Sequence, residues 1–597
     1  MGLRLGPGPV FAYEWLTATR RRQLYAMRAL FVGMILIGMM LAHGKPEGNP
    51  DGRISLQDLA SYGEQLFQAT VTIELVLILL AAPAATAGAV CLDRARGTLD
   101  HMLATDLSNA EIVLGKLGSR LIPVLGLIAS ALPVAALSTL LGGIDPLALA
   151  GSFLVAVGCA VLGCSLALTL SVYGRKTQEV LVLTYMILVA WIVAPLIMAI
   201  AYEVAVGPPP PAGTSGNLWT FLHDAAEWSN PFVLALAPYR KPGTAGIETY
   251  AGFLAGCLFG SAAMTGLATA RVRRVALSQI GRPARPSLRQ RLRLVRPSWL
   301  PRFPGPSLNR NPVAWREWHR SRPTLMMRVA WGLYAALGLF FLWVVWMPTA
   351  GILAEKTAIA NSFQVTIGLL LLSTGAATSL AEERVRGSLD VLLSTPMSTR
   401  SILAGKWWGS YRRILNVAIW PAILTIPLLV DGGSWVALLI LLGLVLAYGA
   451  AITSLGLALA TWVSRTGRAV ALCMTIHVGW MIVWAFVVAF LFGSPAMHHI
   501  PLMIGDPPFG VFVGTFAVSR MDYPFGPMVD ITPSSLVPPL IVWIAVICGF
   551  AALLFLATLV TFDGCLDRIS DGARRPRPKP MPTVKPTARV PSAAGSE

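Results

Sequence analysis

Residues 93–116 read DRARGTLDHMLATDLSNAEIVLGK, and residues 383–406 read ERVRGSLDVLLSTPMSTRSILAGK. The two stretches lie 290 residues apart, align without a gap and are identical at eleven of 24 positions, among them Arg94/Arg384, Gly97/Gly387 and Lys116/Lys406. Agreement of this kind at one fixed offset marks an internal duplication. In each copy a glycine, Gly97 or Gly387, interrupts the preceding segment. Leu99, Met102 and Leu103, like Leu389, Leu392 and Leu393, then recur at i, i+3 and i+4, which is one apolar face of a short helix. Thr105 and Thr395 end it, and Pro396 enforces the stop in the second copy. Ser108 with Glu111 forms a capping box that opens the next helix; Ser401 replaces the acid in the second copy. Each half therefore carries a short amphipathic helix, and the pair is expected to form a docking surface.

The composition around these copies sets the class. Of 597 residues, 55% are apolar and only 13% are charged, and the mean hydropathy is +0.66. Soluble domains carry about 25% charged residues. The apolar residues come in runs of the length that a bilayer helix needs. A soluble enzyme, a disordered chain and a disulfide-built secreted protein are excluded. The seven cysteines form no CxxC, and most lie inside apolar runs as small core residues.

The runs predict an all-α polytopic membrane protein of twelve transmembrane helices. Six lie near 24–42, 66–91, 119–142, 146–172, 179–206 and 246–270. Six more lie near 325–347, 361–381, 411–430, 434–462, 469–492 and 538–562. An even number per half makes the two halves parallel repeats about an axis along the membrane normal. The expected domains are a first six-span unit (1–270), a basic linker (271–310), a second six-span unit (311–565) and a disordered basic tail (566–597). The linker holds eleven arginines and no acid, interrupted by prolines. It suits the cytoplasmic face and anionic lipid heads rather than nucleic acid. With the linker and both termini inside, only Lys45, Arg53, Arg240, Lys241, Lys356 and Arg520 of the 47 Lys and Arg fall outside, as the positive-inside rule requires. The opening stretch is not read as a cleaved leader, because Pro9–Trp15 recurs as Pro312–Trp318 in mid-chain.

At these residues the chain resembles the type-2 (export) permeases of ATP-binding-cassette transporters, here with two transmembrane domains fused. Such permeases carry an acid–basic–x–x–Gly–Thr–Leu–x–x–Leu–x–x–Thr–Pro pattern and then Ile–x–x–Gly–Lys. Glu383–Lys406 matches it closely; Asp93–Lys116 departs at Asp106, where the proline belongs. The resemblance implies that each loop helix is a coupling helix seated on an ATPase. Arg96, Gly97, Leu99, Asp100, Leu103 and Thr105 would carry that role in the first half. Arg386, Gly387, Leu389, Asp390, Leu393 and Thr395 would carry it in the second. It also makes Glu14 and Trp15, and Glu317 and Trp318, part of connecting helices. Short re-entrant helices are implied at Asn230-Pro231-Phe232 and Asp506-Pro507-Pro508-Phe509.

A phosphate-binding loop needs Gly-x-x-x-x-Gly-Lys-Ser/Thr. Lys116 and Lys406 are followed by Leu117 and Trp407, and Ala110 and Arg400 stand where the first glycine is required. The chain is thus expected to be no enzyme and to bind no cofactor. ATP and magnesium would sit on separate P-loop ATPase subunits, two copies, at the plasma (inner) membrane. Two internal halves make a homodimer unnecessary. Two rivals remain: an ion-gradient-driven secondary transporter with parallel repeats, and a membrane-embedded enzyme acting on lipids or sugars. Glu74 is the intramembrane acid that the first would use, for cargo or proton, against a simple interhelical hydrogen bond; its repeat partner is Gln364. Adjacent His498 and His499, near Asp506, read as a solvated loop rather than a metal site, since neighbouring side chains diverge.

Overall fold

A computed structural model describes residues 8–19, 22–41, 56–139, 144–174, 176–206, 225–240, 243–279, 306–309, 311–319, 325–347, 353–385, 387–463, 466–492, 500–519 and 533–566. No strand occurs among the described residues. The first half contains α1 (Gly8–Thr19), α2 (Arg22–Leu41), α3 (Leu56–Thr86), α4 (Cys91–Arg96), α5 (Thr98–Leu103) and α6 (Asn109–Thr139). It continues with α7 (Pro146–Tyr173), α8 (Thr177–Val206), α9 (Pro231–Arg240) and α10 (Ile247–Gln279). The second half contains α11 (Pro312–His319), α12 (Leu325–Trp346), α13 (Leu353–Val385), α14 (Ser388–Leu393), α15 (Thr399–Tyr411), α16 (Leu415–Leu424) and α17 (Ile426–Val430). It ends with α18 (Trp435–Trp462), α19 (Thr466–Phe492), α20 (Ile500–Met503), α21 (Pro507–Val518) and α22 (Val537–Cys565).

Among the described residues, nine helices are long and apolar enough to cross a membrane. The other three expected spans are helical as well: α2 has 20 residues and α19 has 27, while the third is divided. In α2 the apolar stretch among the described residues is Tyr25–Ile37. The run expected at 411–430 is broken. A 3-10 turn at Arg412–Ile414 separates α15 from α16, and Pro421 and Pro427 remove backbone donors around the Thr425 break. In α19 the apolar stretch is Arg468–Met481.

Local chemistry places the helix ends where it was legible. Asp145 caps α7 through Leu147 N at 2.9 Å, ahead of Pro146. Ser108 and Glu111 close their box in both directions, at 3.1 and 2.8 Å, while Ser398 caps α15 from one side only. One boundary moves: α10 runs on past 270 to Gln279 and carries Arg271, Arg273 and Arg274. No helix breaker precedes Gly281, and Val272 and Ala276 on this extension are buried. Linker residues 280–305 and the tail from 567 lie outside the described residues.

One helix of each half reaches across to the other. From the first half, α8 packs against α12 and α13; from the second, α19 packs against α2 and α3. Met186 and Val193 of α8 share a buried cluster with Tyr334, Leu337 and Phe341. Cys473, Met474 and Val478 of α19 share another with Phe31, Met34, Val71 and Leu75. Thr378 donates across the same seam to Gln178 Oε1 at 3.2 Å. Lipid tails are as apolar as these side chains, so close fit rather than exclusion from water holds the seam.

Met186→Ala is therefore expected to cost about 2 kcal/mol, the low end for a buried methionine, since the cavity term remains and the transfer term shrinks in lipid. Leu258→Ala, at a position that is 48% exposed, should change little. Thermal unfolding of the detergent-solubilised chain checks both.

Candidate coupling site

The duplicated segments build the same cluster twice. Gly97 and Gly387 have φ of +75° and +69°, the left-handed region where a side chain is strained, and each turns the chain from the preceding helix into the loop helix. Leu99 and Leu389 then point inward and are buried, at 0% and 1% exposure. Leu103 and Leu393 are half-buried against the same apolar clusters. The outer face carries Arg96, Asp100, His101 and Thr105 in the first copy and Asp390, Val391 and Ser394 in the second, all exposed except for Thr395 beside them, which is half-buried. Thr105 and Thr395 end their helices by donating to Met102 O at 2.7 Å and Leu392 O at 2.6 Å. Arg386 lies outside the described residues.

Behind each loop helix sits a buried lysine. Lys116 is 1% exposed; its Nζ donates to Glu14 Oε1 at 2.8 Å and also bonds Asp93. Lys406 is 2% exposed and donates to Glu317 at 2.6 Å and to Glu383 at 2.7 Å. The acids come from two places: one from the connecting helix (α1 or α11), one from the residue just before the loop. Each lysine therefore ties three chain segments together. Arg316 adds a further bond to Glu383, and Ser119 donates to Glu14 at 2.9 Å.

The connecting helix can come this close because the residue before each lysine is glycine. A Cβ on Gly115 would stand 3.1 Å from Phe11 N and 3.2 Å from Val10 Cβ; on Gly405 it would stand 2.9 Å from both Ala314 N and Val313 Cβ. Trp15 stacks on Phe11 at 6.3 Å, and Arg412 lies over the Trp318 ring at 5.0 Å while donating to Glu317 O at 2.8 Å. Asn311 caps α11 and donates to Ser401 O at 2.9 Å.

Two arginines join these clusters to the spans. Arg94 donates to Val172 O at 2.6 Å and Gly174 O at 3.3 Å, at the end of α7. Arg384 does the same to Thr461 O at 3.1 Å and Val463 O at 3.2 Å, at the end of α18. Terminal carbonyls without partners attract a cation in this position. Arg273 of the α10 extension donates to Leu103 O at 3.0 Å.

Sequence reasoning noted Lys116/Lys406 and Arg94/Arg384 as identities but gave them no role. The signal was there: an unchanged Gly-Lys in both copies and an acid 23 residues before it. Glu74 and Gln364 do not join this cluster. Both are buried within their spans, and Gln364 Nε2 donates to Tyr334 O at 3.1 Å. At the opposite ends of the spans, Asn230 caps α9 and donates to Ile192 O at 2.8 Å, whereas Asp506 begins α21 with Oδ1 unpartnered. His498 and His499 lie outside the described residues.

Burial alone would raise the carboxyls of Glu14 and Glu317, but Lys116 with Arg120, and Lys406 with Arg316, hold both below the ordinary value of 4.5. A depressed native value adds stability that is present above 4.5 and drains as pH falls below it toward that native value. The melting temperature should therefore drop on acidification below 4.5, and the Glu14→Gln, Glu317→Gln pair should flatten that dependence.

Lys406→Met leaves Glu317 and Glu383 facing each other with only the partly exposed Arg316 beside them. A loss of about 3 kcal/mol is expected from breaking one side of a buried ion cluster, read as a lower melting temperature, with Lys406→Arg less severe.

The model of the ABC-2 family transporter protein matches residues 9–272 and 341–558, most of the chain and both loop segments. No curated protein matches.

Proposed function

The chain belongs to the ABC-2 transporter family, a multi-pass membrane component, and from that premise we propose that it is the permease subunit of an export-type ATP-binding-cassette transporter. In this reading two parallel six-span halves, twelve spans in all, are fused so that one chain supplies both transmembrane domains. Two separate P-loop ATPase subunits bind ATP and magnesium. The chain sits in the plasma (inner) membrane with its termini in the cytoplasm. Closure of the ATPases pulls on α5 and α14, and the halves rock about the seam made by α8 and α19.

One observation carries the reading: the two buried lysine clusters make the loop helix, the connecting helix and the start of the following span a single block in each half. A push on the loop helix would then move α6 and α15 together with α1 and α11, instead of being absorbed by a slack loop. Arg94 and Arg384 extend the block to α7 and α18. The inward leucines serve the block itself, so the ATPase is expected to read the outer residues Asp100 and His101, and Asp390 and Val391.

The test is a charge reversal on that outer face. Asp100→Arg with Asp390→Arg and Val391→Arg should leave the melting temperature of the chain unchanged. It should also weaken retention of the co-purifying P-loop ATPase by at least about tenfold, equivalent to ~1.4 kcal/mol. If wild type retains no such ATPase, and a proton or sodium gradient alone drives flux in liposomes, the proposal fails in favour of a secondary transporter.

A further inference from the structure

The turn from α7 into α8 is fixed on one side to the Lys116 block and on the other to the second half. Ser171 Oγ accepts from Val90 N at 2.9 Å and from Cys91 N at 3.1 Å, and Cys91 Sγ lies 3.4 Å from Thr177 Oγ1. With Arg94 on the Val172 and Gly174 carbonyls, these bonds clamp α4 to the start of α8. The next residue, Gln178, leaves its own half. Its Oε1 is 3.2 Å from Thr378 Oγ1 on α13, and the two residues are 7% and 0% exposed. A hydroxyl both donates and accepts, so the contact holds for either orientation of the amide. Farther along α13, Glu383 binds Lys406 at 2.7 Å. Hydrogen bonds and one helix thus run unbroken from the first block to the second.

Gly375 admits the crossing. A Cβ there would stand 2.8 Å from Gln178 Nε2 and 2.6 Å from Arg413 Nη1, so the amide and the guanidinium both rest on bare backbone. Lys176 marks the crossing independently. Burial raises the Glu317 carboxyl, and Lys176 joins Lys406 and Arg316 in holding it below its ordinary value, so this turn of the first half faces the lysine cluster of the second. The other half cannot repeat the bridge. Gly88 stands at the position of Thr378 in the ungapped duplication, and Gly467 matches Gln178 in the register that pairs Trp191 with Trp480. Two glycines have no side chains with which to bond.

We propose that Gln178 and Thr378 are the positioning pair that joins the two blocks, so that a shift of the first loop helix reaches Lys406 and the second loop helix through α8 and α13. As communication between two ATPase-facing surfaces this rests on the permease reading. As a mechanical link within the chain it does not, so the test uses the purified chain without any ATPase.

Amide hydrogen exchange of the chain in nanodiscs is followed in the peptides that contain α5, α14 and α21. Arg94→Gln opens the clamp on α8 and is expected to speed exchange in α5 and in α14. In α14 the effect should be about fivefold, the size that one lost hydrogen bond makes in an opening equilibrium, while α21 stays unchanged. With Thr378→Ala or Gly375→Ala also present, Arg94→Gln should speed α5 alone. Gly375→Ala keeps every polar group and only pushes the two side-chain tips aside, so it tests the contact without removing a partner. Thr378→Ser keeps the hydroxyl and should keep the response of α14. A purely structural pair would lower the melting temperature without controlling how α14 responds to Arg94→Gln. The link is overturned if α14 ignores Arg94→Gln in the otherwise unchanged chain, or responds equally in Thr378→Ala and Gly375→Ala. Equal acceleration of α21, at the far end of the same half, marks general loosening and overturns it as well.

Discussion

A lysine ammonium almost wholly removed from solvent must be neutralised, and in this protein that requirement is met twice in the same way. Lys116 and Lys406 each draw one acid from the connecting helix and one from the residue preceding the loop. Removing either acid would leave charge in a place where water cannot reach it, so the three segments are bound to one geometry. Close approach is the second half of the constraint: a Cβ on Gly405 would stand 2.9 Å from Ala314 N, and one on Gly115 3.1 Å from Phe11 N, so any larger residue would push the connecting helix outward. Charge and contact together make each of these corners a unit.

The spans beyond that corner obey a different economy. Inside lipid the gain from packing two apolar helices is small, and the backbone must be satisfied within the protein. Arg94 and Arg384 meet the second requirement at the ends of α7 and α18, and in doing so connect the corner to the spans. The first requirement is met where α8 and α19 reach across to the other half, with Met186 and Met474 buried in mixed clusters; α19 also keeps its packing on α13 and α18.

Duplication has not made the halves equivalent. The capping box closes fully at Ser108 and only from one side at Ser398. Asn230 ties its short helix to Ile192 O, while Asp506 has an oxygen without a partner. Gln364 Nε2 donates to Tyr334 O, whereas Glu74 Oε1 in the matching position has no partner; Gln364 Oε1 lacks one too. The similarities gather at the buried lysines behind the loop helices; apart from the capping box, these differences lie in and beyond the spans.

Membrane class, the paired loop helices, the capping box and the family were all legible in the chain itself, because apolar run length, helical spacing, turn glycines and an ungapped duplication are local or self-referential signals. The lysine clusters were half-legible. Gly-Lys stood unchanged in both copies, yet only folding could bring Glu14 within 2.8 Å of Lys116, since the partners are 102 residues apart. The break near Thr425 and the continuation of α10 to Gln279 were decided by proline placement and by burial of Val272 and Ala276. Spacing gave the loop helix one apolar face, and the family resemblance assigned its leucines and aspartates alike to a partner. In the tertiary structure Leu99 and Leu389 turn inward and Asp100 and Val391 stay outside, because an apolar face is buried in the nearest core that will take it. The seam made by α8 and α19 carried no such signal, because it consists of contacts between distant helices that no single segment encodes.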